Sequence, residues 1–179
     1  MKTALVLLAE GFEEIEAVTI VDVLRRGQVQ VTTASLAGKH VRGSHDITVE
    51  SDTLLDSVSI ENFDALVLPG GPAAKTLRDE PRVQAVIQRA GALGKLVGAV
   101  CAAPIALEAA GMLQGKRATS YPGNPLPSAR FVEERVVEDG NIVTSRGPGT
   151  TMAFALKLVE RLSGPEMAQK TGEKMLYNS

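Results

Sequence analysis

The sequence has one cysteine, two histidines, no tryptophan and only 3% aromatic residues in 179 positions. Each scarcity excludes something. The single cysteine, Cys101, cannot close an intrachain disulfide. With only His40 and His45 to join it, no Cys/His cluster at zinc spacing is present. A reducing cytoplasm is the expected compartment. With so few aromatics the core must be built from Ala, Val, Leu and Ile, which suits helices packed on a buried sheet. An excess of charge of one sign is also missing. The 19 basic and 21 acidic residues leave a net charge of −2, so no electrostatic footprint for nucleic acid or an anionic membrane is expected. No apolar run exceeds about eight residues, too short for a membrane span. No G-x-G-x-x-G follows the first apolar run, and Arg146-Gly147-Pro148-Gly149-Thr150 lacks the Gly-Lys-Ser/Thr ending of a phosphate loop. No cofactor and no metal are expected.

What is present reads as one domain over residues 1–179, with 44% apolar residues. The N-terminus, MKTALVLLAEGFEE, lacks the longer apolar segment and small-residue cleavage site of a signal peptide, so TALVLLA reads as a first strand. Apolar runs at 3–9, 64–71 and 95–100 predict strands buried on both faces, and 29–36 a further strand. Helices are predicted over 13–26, over 82–93 just after Pro81, and over 150–164 ending at Gly164. Residues 40–57 hold short strand-like pieces, and Asp139-Gly140-Asn141 within 134–145 predicts a hairpin. Alternating strands and helices imply an α/β sandwich with a mainly parallel sheet. Ligands of such sheets bind at the strands' carboxyl ends, which singles out the loops AEGFEE, LPGGPAA and VCAAP.

Cys101 stands where a buried strand meets a helical run. Ala99 and Ala103 occupy the two positions that a sharp strand-to-helix elbow keeps small, the spacing of a G-x-S-x-G nucleophile turn. Amides at the helix start would lower the thiol pKa; the alternative is a small buried hydrophobe. Glu16 shares a helix face with Ile20, Val23 and Leu24. Buried there, its carboxyl would hold a proton near neutrality and serve as general acid or base; the alternative is a solvated first-turn carboxylate. Glu13 and Glu14 need only the helix macrodipole to explain them. Gly70 and Gly71 allow a tight turn with exposed amides, either an oxyanion site or an ordinary glycine turn.

These segments, from ALVLLAEGFEEIEAVTIVDVLRR through DALVLPGG and GAVCAAPIAL to TSRGPGTTMAFAL, together resemble the DJ-1/ThiJ/PfpI superfamily, its DJ-1 branch in particular. The match runs in order over nearly the whole chain. The resemblance implies a flavodoxin-like three-layer fold with helices on both faces, and a homodimer. It implies that Cys101 is a reactive, oxidation-sensitive nucleophile, that Glu16 contacts its sulfur, and that the amides of Gly71 and Ala102 form an oxyanion hole. Arg25 and Arg26 fall where the family carries an Arg pair near the dimer interface. The sequence departs from the family at Tyr121, which precedes Pro122 where many members have His. Any Cys–His mechanism is thereby in doubt. The implied activity is cofactor-free conversion of methylglyoxal or glyoxal to a hydroxy acid, or deglycase-like action on a glycated substrate. The alternative is a redox sensor or chaperone whose cysteine oxidises to sulfinate.

Overall fold

In chain order the elements are β1 (Thr3–Leu8), α1 (Glu14–Arg26), β2 (Gln30–Ser35), β3 (His40–Arg42), β4 (Thr48–Glu50), β5 (Thr53–Leu54), β6 (Ala65–Leu68), α2 (Ala73–Asp79), α3 (Pro81–Ala92), β7 (Leu96–Val100), α4 (Pro104–Ala109), β8 (Arg117–Ala118), β9 (Arg130–Phe131), β10 (Val136–Asp139), β11 (Ile142–Ser145), α5 (Thr151–Ser163) and α6 (Pro165–Lys174). They come from a computed structural model that describes residues 1–177. Asn178 and Ser179, the end of the expected 1–179 domain, lie outside the described residues.

Seven strands form the central sheet in the order β10-β11-β7-β6-β1-β2-β5. Every neighbouring pair is parallel except β10–β11. β1, β6 and β7 are buried along nearly their whole length, as their unbroken apolar runs require of central strands covered on both faces. On one side α1 packs on α5; α2, α3 and α4 pack on one another, with α3 reaching β6 and β7. The architecture is the doubly wound, flavodoxin-like α/β sandwich expected from the alternation of elements. The chain leaves β1 toward β2 and later returns to pair β6 with β1 from the other side. The loops after β1 and β6 therefore diverge at a topological switch point, where such sheets bind ligands.

Local chemistry explains the boundaries. The Glu13 side chain caps α1 by accepting from the Glu16 amide, and Gly27 closes the helix by donating to the Val23 carbonyl. Gly27 must be small, because a Cβ there would lie 2.5 Å from both terminal methyls of Val159 on α5. The β10–β11 hairpin turns at Gly140-Asn141, with Gly140 at φ 64°. Two helices were not predicted. α2 is a short segment behind Pro72, and α6 is mostly polar, so neither shows a clear apolar period.

Phe154 of α5 fills the space that Gly98 leaves on β7: a Cβ at Gly98 would sit 2.9 Å from the ring Cζ. Phe154 is fully buried. Phe154→Ala is expected to cost about 3–5 kcal/mol in urea unfolding, and a loss below about 1 kcal/mol would contradict this packing.

Candidate active site

β7 ends in a strained turn. Cys101 has φ 64°, a left-handed conformation that non-glycine residues rarely adopt and that functional sites retain. The turn is held from three sides. The Cys101 amide donates to the Ser145 carbonyl at 3.0 Å, its carbonyl accepts from the Tyr121 amide at 2.7 Å, and the Ala103 amide donates to Val100 at 3.0 Å. Ala99 and Ala103 are fully buried, which is the clearance the elbow spacing predicts. The RGPGT segment turns out to support this elbow. The Thr150 hydroxyl bonds Ser145 Oγ at 2.6 Å and accepts from the amides of Arg146 and Gly147. That fixes the end of β11 that receives the Cys101 amide.

Glu16 and Gly70 come to the same point from the ends of β1 and β6. Glu16 is 0% exposed, and its Oε2 accepts from the Gly70 amide at 2.7 Å. Its Oε1 has no hydrogen-bond partner among the described residues. Gly70 separates carboxyl and thiol: a Cβ there would lie 2.7 Å from Cys101 Cβ and 2.9 Å from Glu16 Oε2. Gly71, at φ 84°, presses its backbone against the β1 loop, where a Cβ would lie 2.6 Å from the Gly11 carbonyl oxygen. The amides of Gly71 and Ala102 face the sulfur.

Cys101, 7% exposed, opens into a cavity of about 280 Å³ whose walls include Gly71, Ala102, Ile105, Tyr121 and Asn124. Tyr121, at the position where the family often has His, lines this cavity and lays its ring over Gly147. No imidazole lines it. Arg25 lies elsewhere, in a groove with Val18, Val21 and Val49, and Arg26 pairs with Asp22 at 2.6 Å. Within one chain neither arginine reaches the thiol.

The electrostatics correct one expectation. Burial pushes Glu16 up to about 7; contacts from Cys101 and Gly70 oppose this, and the Glu13 charge adds to it. Burial, with the charge and contact of Glu16, pushes the Cys101 thiol up to about 12, against the lowering effect of the Gly71 and Ala102 amides. Helix amides alone therefore do not lower the thiol pKa. The two groups form one titrating unit. The unit takes on its single negative charge as pH rises through about 7, and sulfur holds that charge only when the carboxyl takes the thiol proton.

Glu13 and Glu14 are also more than macrodipole residues. Both are buried. Glu13 Oε2 caps the Glu16 amide at 2.8 Å. Glu14 Oε1 accepts from the His45 amide at 2.6 Å, and its Oε2 lies 3.0 Å from His45 Nδ1. Burial alone would raise Glu14, but the His45 ring and amide and the Ile47 amide outweigh it and bring it down to about 2. Glu13, Glu14 and His45 thus cluster with ligand-type atoms within 4.8 Å of one another, although no metal spacing is visible in the sequence. These carboxylates already accept from backbone amides.

A family model described as "DJ-1/PfpI family" matches residues 2–161. The chain belongs to the DJ-1/PfpI family. Among its DJ-1 relatives, Protein dj-1beta of Drosophila melanogaster is 40% identical over 99% of both chains, and its crystal structure superposes with a TM-score of 0.95. Glutathione-independent glyoxalase DJR-1.2 of Caenorhabditis elegans is 35% identical over 92% of this chain and 91% of its own. Toxoplasma gondii DJ-1, in an oxidized form, is 38% identical, with full coverage of both chains and a TM-score of 0.94.

The raised carboxyl has a consequence for stability. The folded state keeps a proton on Glu16 that the unfolded chain releases near 4.5 and the folded one near 7. Its contribution to stability is present below that window and is lost as pH rises through it, by up to roughly 3 kcal/mol. Glu14, lowered instead, contributes stability that is lost only as pH falls from its ordinary 4.5 toward 2. Urea midpoints of Glu16→Gln should therefore lose the decline between pH 4.5 and 7. An identical decline in wild type and variant would contradict the buried-proton assignment.

Proposed function

We propose that this protein is a cofactor-free glyoxalase that converts methylglyoxal to lactate, with Cys101 as nucleophile and Glu16 as the acid and base. The observation that carries the reading is the fully buried Glu16 carboxyl, held at about 7 beneath an elbow cysteine. The name of the Caenorhabditis relative adds support.

The steps follow from the residues. The Glu16 carboxylate takes the thiol proton as sulfur attacks the aldehyde carbon, forming the C–S bond of a hemithioacetal. The amides of Gly71 and Ala102 receive the negative oxygen. Glu16 returns that proton to the oxygen, and the freed carboxylate then takes the C1 proton and delivers it to C2 through an enediol, leaving a thioester. Water hydrolyses it to lactate and restores the thiol. One water enters for each methylglyoxal, and no electrons leave. Because Glu16 both accepts and returns the proton, no histidine is required. Tyr121 shapes the cavity wall and offers a hydroxyl. Deglycase-like action would use the same nucleophile on a glycated substrate.

A second reading, redox sensing, is favoured by the unpartnered Glu16 Oε1. Protonated, that oxygen can donate to a sulfinate formed by two oxygen transfers from peroxide. The two readings use the same activated thiol, and both fit a reducing cytoplasm.

The working unit in this proposal is a homodimer. Ile15 and Val18, on α1, are 59% and 54% exposed, and Ile47 lies exposed on the loop before β4. Val18 lines the groove that holds Arg25, so pairing through this groove would cover Val18 and bring Arg25 to the partner's surface. Exposed apolar residues of this size suit an interface core.

Cys101→Ser and Glu16→Ala should each reduce methylglyoxal turnover at least about 100-fold, the scale of losing a nucleophile or a general base. Full activity in either would overturn the mechanism. Mild peroxide should add about 32 Da to the intact mass of the wild type but not of Cys101→Ser; oxidation spread over the methionines would argue against the sensor reading. Light scattering should give twice the chain mass of 18.9 kDa, and Val18→Glu should shift it toward one chain. A wild-type monomer would refute the interface.

A further inference from the structure

The cavity above Cys101 has an uneven charge. Of the side chains lining it, only Lys75 is charged. Lys75 stands in the first turn of α2, which starts two residues after Gly71, whose amide is assigned to the oxyanion. It is exposed and, among the described residues, has no carboxylate partner. The other cations of α2 and α3 are all engaged: Arg78 with Asp79 at 2.7 Å, Arg82 with Asp56 and Glu80, and Arg89 with Glu61. Two further polar residues, Tyr121 and Asn124, line the same space, and the Asn124 amide spends one donor on the Tyr121 carbonyl. Among the described residues no carboxylate lines the cavity, and Glu16, beside the thiol, is fully buried. An entering ligand thus meets one cation and otherwise neutral lining among those residues.

We infer that Lys75 makes this cavity selective for carbonyl compounds that carry an anionic group, a carboxylate or phosphate, on the side of the molecule away from the reacting carbon. The inference rests on the reading of Cys101 as a nucleophile toward carbonyl carbon. Lys75 is the specificity residue: its ammonium pairs with the anionic group while the aldehyde carbon lies over the sulfur. Neutral methylglyoxal reaches the same thiol without that contact. An exposed lysine at a cavity mouth gives a modest, salt-sensitive preference rather than a rigid clamp.

Two probes that differ in charge but little in size test this without requiring turnover. Alkylation of Cys101 by iodoacetate and by iodoacetamide is followed by peptide mass. The ratio of the iodoacetate to the iodoacetamide rate should fall roughly threefold in Lys75→Ala, the scale of one exposed ion pair, and further in Lys75→Glu. The fall should shrink at high salt. In a second arm, glyoxylate and glyoxal compete with iodoacetamide. The thiolate adds to the aldehyde carbon, the carbonyl pair moves to oxygen, and the Glu16 proton neutralises it. In wild type, glyoxylate should protect Cys101 at a lower concentration relative to glyoxal than in Lys75→Ala. An unchanged ratio in both variants, or an equal fall in both rates, overturns the anion site. If the ratio falls but the wild type does not turn over methylglyoxal, the glyoxalase reading fails and the anion site stands.

Discussion

The hydrogen bond from the Gly70 amide to Glu16 Oε2, at 2.7 Å, ties together the segments that follow β1 and β6, and Gly70 lies directly against the cysteine that ends β7. A glycine is required because both neighbours would lie within 3 Å of a Cβ. The doubly wound sheet brings these three segments, distant in sequence, to one edge. The α1 cap adds precision: Glu13 accepts from the Glu16 amide, and the Glu13 amide donates to the Gly70 carbonyl at 3.1 Å. The carboxyl is thus placed by backbone on two sides and left with one unpartnered oxygen.

That placement sets the chemistry. Burial and the Glu13 charge raise the carboxyl against the Cys101 and Gly70 contacts, whereas burial together with the Glu16 charge and contact raises the thiol. The thiolate then depends on proton transfer to Glu16. The amides of Gly71 and Ala102 assist sulfur but do not outweigh burial. Two more carboxylates lie nearby. Glu13 spends one oxygen on the helix cap, and its charge adds to the rise of Glu16. Glu14 is lowered by its hydrogen bonds to His45, whose own pKa is raised by that contact and by the Glu14 charge. The 43–47 loop that carries His45 closes on Glu14 so tightly that a Cβ at Gly43 would lie 2.3 Å from its Oε1.

Much of this was legible in the sequence, and the exceptions have physical causes. The elbow spacing around Cys101 and the shared face of Glu16, Ile20, Val23 and Leu24 are local patterns, and both appear as read. The central strands were visible because burial on both faces leaves unbroken apolar runs. Ile15 and Val18, also apolar and on the same predicted helix, are exposed, because they lie off the buried face of α1. The buried state of Glu13 and Glu14 was not legible, since it depends on His45, 31 residues beyond Glu14 in the sequence. The direction of the thiol shift was missed for a similar reason: helix amides are a local signal, whereas the opposing carboxylate arrives from another strand. Lys75 belongs to α2, one of the two helices without a readable period, so nothing in the sequence marked it as part of the cavity wall.

The central claim is that the buried Glu16 carboxyl beside Cys101 keeps its proton until close to neutral pH, where the pair gains its first negative charge. The most direct measurement is the carbon-13 shift of the Glu16 side-chain carboxyl, followed through a pH titration and assigned with Glu16→Gln. A midpoint near 7 is predicted, and a midpoint at the ordinary value of 4.5 would contradict the account.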